Sequence, residues 1–281
     1  MIKHFLMKLK VGFSPCPNDT FIFYALIHGL IETELEIEPV IADVEELNQK
    51  AFAGELEVTK LSYHALGHLL NKYALLDAGS ALGNNCGPLL ISKRHLEKSD
   101  VDEARIAIPG KYTTANFLLS LAFPSAKHKV EMLFSDIEDA VLNESVDAGL
   151  IIHENRFTYQ SKGLRKIMDL GEYWESTTGL PIPLGGIAIR KDLPRDVQVE
   201  FNRILRESVL FARANPEATT HYIKKYAQEM DETVMHSHIN LYVNDFTVSL
   251  GETGETAVKK LFSMAQEKGI IPTYTENFLI N

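Results

Sequence analysis

Cysteine is scarce in this chain: two occur in 281 residues, Cys16 and Cys86, with no CxxC spacing between them. That excludes a disulfide framework and the usual cysteine-rich metal sites, and it fits a reducing compartment. Positive charge is also in deficit. Lys and Arg number 28 against 38 Asp and Glu, for a formal net charge of −10, so no broad basic surface is available for a nucleic acid backbone. No apolar run approaches the roughly 20 residues needed to span a bilayer. The opening string MIKHFLMKLK places charges inside its apolar stretch before a signal-peptide core can form. The expectation is a cytoplasmic chain with no membrane or nucleic acid partner, and Met7 reads as an alternative start. There is no GxGxxG after the first strand pattern and no P-loop, which removes the usual support for a nucleotide cofactor. Repeats of 20 to 50 residues and low-complexity tracts are absent as well.

What remains is an ordinary globular mixture, 45% apolar and 23% charged, long enough for about two domains at roughly 150 residues each. Lys8 to Ser14 alternates and stops at Pro15, as a short buried strand does. A helix follows, capped by Asp19 or Thr20 and ending near Gly29. Leu35 to Ile41 reads as a second strand, Asp43 to Asn48 as the start of a helix with acids at its positive end, Val58 to Leu61 as a third strand, and Ser62 to about Tyr73 as a helix. This βαβα order predicts a parallel sheet covered by helices. The segments Gly87 to Lys93 and Gly185 to Lys191 resemble each other, each joining glycine to an apolar strand with a basic end. Between them runs a second βαβ rhythm through Arg105–Ile108, Thr113–Leu121, Val130–Phe134, Ile137–Leu142 and Ala148–Ile152. They read as two crossover strands. The expected organisation is therefore discontinuous, with 1–90 and 188–281 forming one lobe and 91–187 the other. The last 90 or so residues are helical by pattern, with Phe201, Ile204, Leu205, Leu210 and Phe211 on one face and Val258, Leu261, Phe262 and Ala265 on another.

Chemistry-bearing residues gather where strands give way to helices, the edge at which open α/β sheets bind ligands. Ser14-Pro15-Cys16-Pro17-Asn18-Asp19-Thr20-Phe21 is a loop fixed by two prolines and rich in capping side chains, so Ser14, Asn18 and Asp19 are candidates for lining a cleft. Cys16 has no motif partner and reads as a buried thiol. Lys60 and Ser62, in Thr59-Lys60-Leu61-Ser62, offer a charge and a hydroxyl at the third strand's end. Thr113 and Thr114 open the next lobe's helix, where hydroxyls and unpaired amides suit a carboxylate. His153 follows the strand Ala148–Ile152 directly and would emerge at its C-terminal edge, with a side chain able to take a proton near neutral pH. Each of these could equally serve as a cap or a packed side chain. His64 and His68 have i, i+4 spacing but no HExxH string, and read as a packed helix face rather than a metal site. His236 and His238 carry no pattern.

Taken together, SPCPNDTF at 14–21, DVEELN at 43–48, TKLSYHA at 59–65, the Gly87-Pro88 hinge, Tyr112-Thr113-Thr114, GLIIHE at 149–154 and DLGEYWE at 169–175 resemble the 1,4-dihydroxy-6-naphthoate synthase family of the futalosine route to menaquinone. The resemblance runs from about Lys8 onward. It implies an α/β, two-lobed fold similar to class II periplasmic binding proteins, turned into a cytoplasmic carbon–carbon lyase acting on cyclic dehypoxanthinyl futalosine, a small carboxylate, without metal or organic cofactor. It also implies that His153 is the catalytic base and that Lys60, Leu61, Ser62, Thr113 and Thr114 bind substrate. Two other readings stay open: a solute-binding protein for an organic anion, and a chorismate dehydratase of the same fold.

Overall fold

The computed structural model describes residues 7–153, 155–227, 231–274 and 277–280. The stretch before Met7, expected to add no pattern, and Glu154 lie outside these. In chain order the elements are β1 (Met7–Phe13), α1 (Pro17–Ile27), β2 (Leu35–Ile41), α2 (Val44–Ala53), β3 (Val58–Ser62), α3 (Tyr63–Leu69), β4 (Tyr73–Leu76) and β5 (Ala81–Gly83). They continue with β6 (Leu89–Ser92), β7 (Ile106–Ile108), α4 (Thr114–Ala122), β8 (Lys129–Glu131), α5 (Ile137–Leu142), β9 (Ala148–Ile151), α6 (Asn155–Thr158), β10 (Arg165–Asp169) and α7 (Leu170–Thr178). The rest are β11 (Ile182–Arg190), α8 (Arg195–Ala214), α9 (Pro216–Tyr226), α10 (Glu232–Tyr242), α11 (Asp245–Val248), α12 (Gly251–Glu267) and β12 (Leu279–Ile280). Among the described residues no helix is long and apolar enough to cross a membrane.

The strands form two sheets. One runs β12-β4-β11-β3-β1-β2, with β5 also on β11; the other runs β10-β6-β9-β7-β8. β1, β2 and β3 are parallel, as the βαβα order requires, while β11 is antiparallel to β3 and β4. The chain passes between sheets twice, after β5 and before β11, so the two segments read as crossover strands, β6 and β11, flank the crossings. Leu89 and Leu90 pair in the second sheet and Ile182 to Ile187 in the first; the strand borders thus fall at the crossings themselves. There Gly87 lies against Gly171 so closely that a Cβ on Gly87 would sit 2.3 Å from Gly171 backbone. A side chain would push the first crossing away from the start of α7.

α2 starts where its sequence says it should: Asp43 caps it by accepting from the Glu45 amide at 2.8 Å, and Gly54 ends it at φ +75°. Elsewhere pattern and structure part. The helix expected to reach Tyr73 stops at Leu69, because Tyr73-Ala74-Leu75-Leu76 is a buried strand of the first sheet, and a short apolar run has no period to separate strand from helix. On α8, Phe201, Ile204 and Leu205 are buried, but Leu210 is 47% exposed and Val209 takes the inward place. One apolar cluster joins Leu61 and Tyr63 of the first lobe to Phe117, Leu118 and Trp174 of the second, so the lobes share packing beneath the cleft.

Candidate active site

Two helix starts and two strand ends converge between the sheets. The first start is α1. Pro17 occupies its first turn, where a missing N–H costs nothing, and the two prolines start the helix at Pro17, ahead of the expected cap. Neither Asp19 nor Thr20 caps it; Thr20 Oγ1 donates back to the Cys16 carbonyl at 3.0 Å. Asp19, 1% exposed, instead accepts through Oδ2 from the Ser14 amide and hydroxyl at 3.1 and 2.7 Å. Its Oδ1 accepts from Lys60 Nζ at 2.7 Å and Asn18 Nδ2 at 2.8 Å.

Lys60 and Ser62 reach the same space from β3 because alternate residues of a strand share a face. The intervening Leu61 turns its fully buried side chain into the core and does not line the cleft. Lys60 has room because its neighbour on β11 lacks a side chain: a Cβ on Gly185 would lie 3.2 Å from Lys60 Cε and 2.8 Å from the Leu61 carbonyl oxygen. Ser62 donates its amide to Asn48 Oδ1 at 3.1 Å, and its hydroxyl accepts from Asn48 Nδ2 at 3.3 Å, which leaves the hydroxyl proton for the cleft.

The second lobe contributes the start of α4. Thr113 caps it, accepting from the Asn116 amide at 3.2 Å and donating to the Gly110 carbonyl at 2.8 Å. Thr114 Oγ1 donates to the Leu184 carbonyl of β11 at 2.6 Å and accepts from the His64 amide at 3.3 Å, a bond from one lobe to the other. Both hydroxyls are thus engaged; Thr113, Thr114 and Ala115 line the cleft, and the leading amides of a helix have no acceptor inside it.

His153 stands just past β9 with φ +58°, a left-handed conformation that side chains adopt at a cost. The residue keeps some exposure, yet its Nε2 is out of reach of water and has no hydrogen-bond partner. Phe134 meets the ring edge-on at 4.9 Å between centroids. Burial pushes this imidazole down to about 4; the Lys60 charge pushes the same way and the Asp19 carboxylate opposes it. Arg156, just behind, turns away to bond the Gly87 carbonyl and Asp169 and so ties the segment to the crossings.

α10 supplies residues that the sequence reading passed over. His238 lies fully buried, its Nε2 2.9 Å from Asn18 Oδ1 and its ring nearly parallel to that of His153 with centroids 6.1 Å apart. Tyr242 packs against His238 with ring centroids 4.6 Å apart. A signal was present: Met235, His238, Ile239 and Tyr242 form the inward stripe of α10, and a histidine on an apolar stripe has to be placed somewhere dry. The cleft enclosed by these parts measures about 650 Å³ with its open mouth included, and Val44, Ala81, Ile152 and Leu184 give it apolar walls. Ser14, Asn18, Asp19, Lys60, Ser62, Thr113, Thr114 and His153 all line it. His64 lies beside the cleft, with Nδ1 3.3 Å from the Thr113 carbonyl, and packs against His68. Among the described residues no group of three or more metal-ligating side chains occurs.

The buried imidazoles make stability pH-dependent. Burial depresses His64 to about 4, helped by His68, depresses His153 to about 4, and holds His238 well below the usual value. The unfolded chain, with histidines near 6.5, therefore binds more protons as pH falls, and stability is lost from about pH 6.5 down towards 4. At pH 5 His64 and His153 each cost about 2 kcal/mol, partly offset by Asp43 and Glu45, whose carboxyls burial pushes up. Calorimetry should show a melting temperature at least ~5 °C lower at pH 5 than at pH 7; an equal or higher value would mean that these rings are solvated.

The fold and the cleft together define a two-lobed, periplasmic-binding-protein-like architecture. An alkanesulfonate-binding protein from Xanthomonas axonopodis pv. citri, crystallised with MOPS, shares it with a TM-score of 0.69 at 13% identity, over 96% of each chain. A crystal structure of a protein from Archaeoglobus fulgidus superposes with a TM-score of 0.89 at 46% identity, over 94% of this chain and 98% of that one. A family model described as menaquinone biosynthesis matches residues 9–267. A 1,4-dihydroxy-6-naphthoate synthase of Thermus thermophilus is 45% identical over 262 residues, 93% of this chain and 95% of that protein. The chain belongs to this menaquinone biosynthesis family and is an enzyme.

Proposed function

We propose that the protein cleaves cyclic dehypoxanthinyl futalosine to 1,4-dihydroxy-6-naphthoate in the cytoplasm, with His153 as general base and with no cofactor. The observation that carries the reading is the His153 Nε2: dry, without a hydrogen-bond partner, on a strained residue, in a cleft with the Lys60 ammonium. A strained backbone at a cleft suits chemistry better than simple retention of a solute. In the proposed step the imidazole removes a hydroxyl proton of the sugar-derived ring. The alkoxide becomes a carbonyl, the adjacent carbon–carbon bond breaks, and its electron pair passes into the ring system, which aromatises. Ser62 and the leading amides of α4 hold the carboxylate, while Lys60 lies opposite the oxygen on which charge develops. The apolar walls suit a bicyclic ring. The same reading keeps one discontinuous lobe, 1–90 with 188–281, around a continuous second lobe, 91–187.

Purified protein should convert cyclic dehypoxanthinyl futalosine into a product with the ultraviolet spectrum of a dihydroxynaphthoate and leave chorismate untouched. Consumption of chorismate would make it a dehydratase; tight binding of the futalosine derivative without turnover would make it a binding protein.

A further inference from the structure

The Nε2 of the base described above has no hydrogen-bond partner and so is free to accept a proton, and the rings packed against the imidazole orient it. We propose that His238 is the positioning residue for His153, acting through its ring as a neutral back wall rather than through its hydrogen bond. This rests on the reading of His153 as the base.

The hydrogen bonds fix the state of His238. Asn18 donates through Nδ2 to the Asp19 carboxylate at 2.8 Å, so Asn18 Oδ1 is left as the acceptor towards His238, 2.9 Å away. His238 Nε2 therefore carries the proton. Asp19 is in turn held by Lys60 and Ser14, so the whole chain from the buried ion pair to the ring has one consistent polarity. A ring locked in this way has a fixed plane, and that plane lies 21° from the plane of His153. Phe134 meets the same ring edge-on at 4.9 Å between centroids, so His153 packs against two aromatic rings while its Nε2 has no hydrogen-bond partner. Tyr242 backs His238 from its own helix.

Among the described residues, the charged and titratable groups that bear on His153 are Asp19 from α1, Lys60 from β3 and His238 from α10. The first two form an ion pair and oppose each other. The remaining determinant of its basicity is the dryness that the His238 ring maintains. Removing the ring admits water and lets the imidazole charge.

Two variants separate the ring from the hydrogen bond. His238→Phe keeps an aromatic wall and loses the bond to Asn18; His238→Gln keeps a donor for Asn18 and loses the wall. In His238→Gln, kcat should fall at least ~30-fold with KM within ~3-fold, and the acid limb of kcat/KM, which reports the free enzyme's base, should move up by about one pH unit or more towards the ordinary imidazole value. His238→Phe should keep kcat within ~3-fold and leave the acid limb where the wild type has it. The opposite pattern, with Phe impaired and Gln intact, would assign His238 a purely structural role through Asn18 and overturn the proposal. If His238→Gln does not fold, a His238→Phe protein that folds but loses ~30-fold in kcat overturns it equally. Titration of the His153 imidazole by NMR in the two free variants gives the same discrimination without substrate. It also separates this inference from the assignment of the reaction, since a wild type that makes no naphthoate defeats the latter alone.

Discussion

Replacing His153 with Asn should lower kcat by roughly 10²- to 10⁴-fold, the range that a positioned general base supplies, or about 3 to 5 kcal/mol of barrier. KM should stay within a few-fold, because the groups expected to hold the carboxylate, Ser62 and the start of α4, are untouched. Asn is a better probe than Ala. His153 sits at φ +58°, a conformation that Asn tolerates and Ala does not, so His153→Asn removes the base without forcing the backbone between β9 and α6 to rearrange. His153→Ala should show the same loss of kcat together with a lower melting temperature. Product is followed by its ultraviolet absorbance under saturating substrate. Activity within tenfold of wild type in the Asn variant would remove His153 from the role and leave its strain unexplained.

The half of the site that was readable in the sequence was readable for one physical reason. In a parallel sheet the C-terminal strand ends gather at one edge, and the loops after β1, β3 and β9 are visible as breaks in periodicity followed by capping residues. Ser14, Asp19, Ser62 and His153 could be nominated without knowing the fold in detail. The roles within a loop were less readable. Leu61 travelled with Lys60 and Ser62 as part of one string, yet strand alternation sends its side chain to the opposite face. Thr113 and Thr114 were nominated for their hydroxyls and for the unpaired amides of that helix start, and the structure spends the hydroxyls on a helix cap and a bond across to β11. His238 escaped altogether because it arrives from α10, more than 200 residues after Asn18 in the chain, and only tertiary packing brings the two together. The same limit applies to the fold: α2 and its cap follow local rules, while β4 is a strand because the sheet has a place for it.

Asp19 and Lys60 form the most consequential electrostatic feature of the molecule, an ion pair at 2.7 Å with side chains 1% and 8% exposed. Breaking such a pair from one side strands a charge in a dry site and typically costs 3 to 5 kcal/mol. Lys60→Met should therefore lower unfolding free energy by about that much, leaving Asp19 with Ser14 and Asn18 as its donors. Asp19→Asn should cost a similar amount, since the ammonium loses its counter-charge and the Ser14 bonds to Oδ2 are weakened. The double variant, Asp19→Asn with Lys60→Met, should be far more stable than the sum of the two losses implies, because neither charge is left alone. Urea unfolding of the three proteins measures this coupling directly, and simple additivity would mean that the pair does not act as a unit. Activity should not recover with stability. In the proposed cleavage Lys60 offsets the charge on the oxygen that becomes negative, and loss of one such group costs on the order of 10²- to 10³-fold in kcat. The two single variants should also move His153 in opposite senses: losing Lys60 removes a charge that depresses the imidazole, and losing Asp19 removes one that supports its protonation. A stable double variant with wild-type turnover would show that the pair is scaffolding alone, and the cleft would then need another source of charge stabilisation.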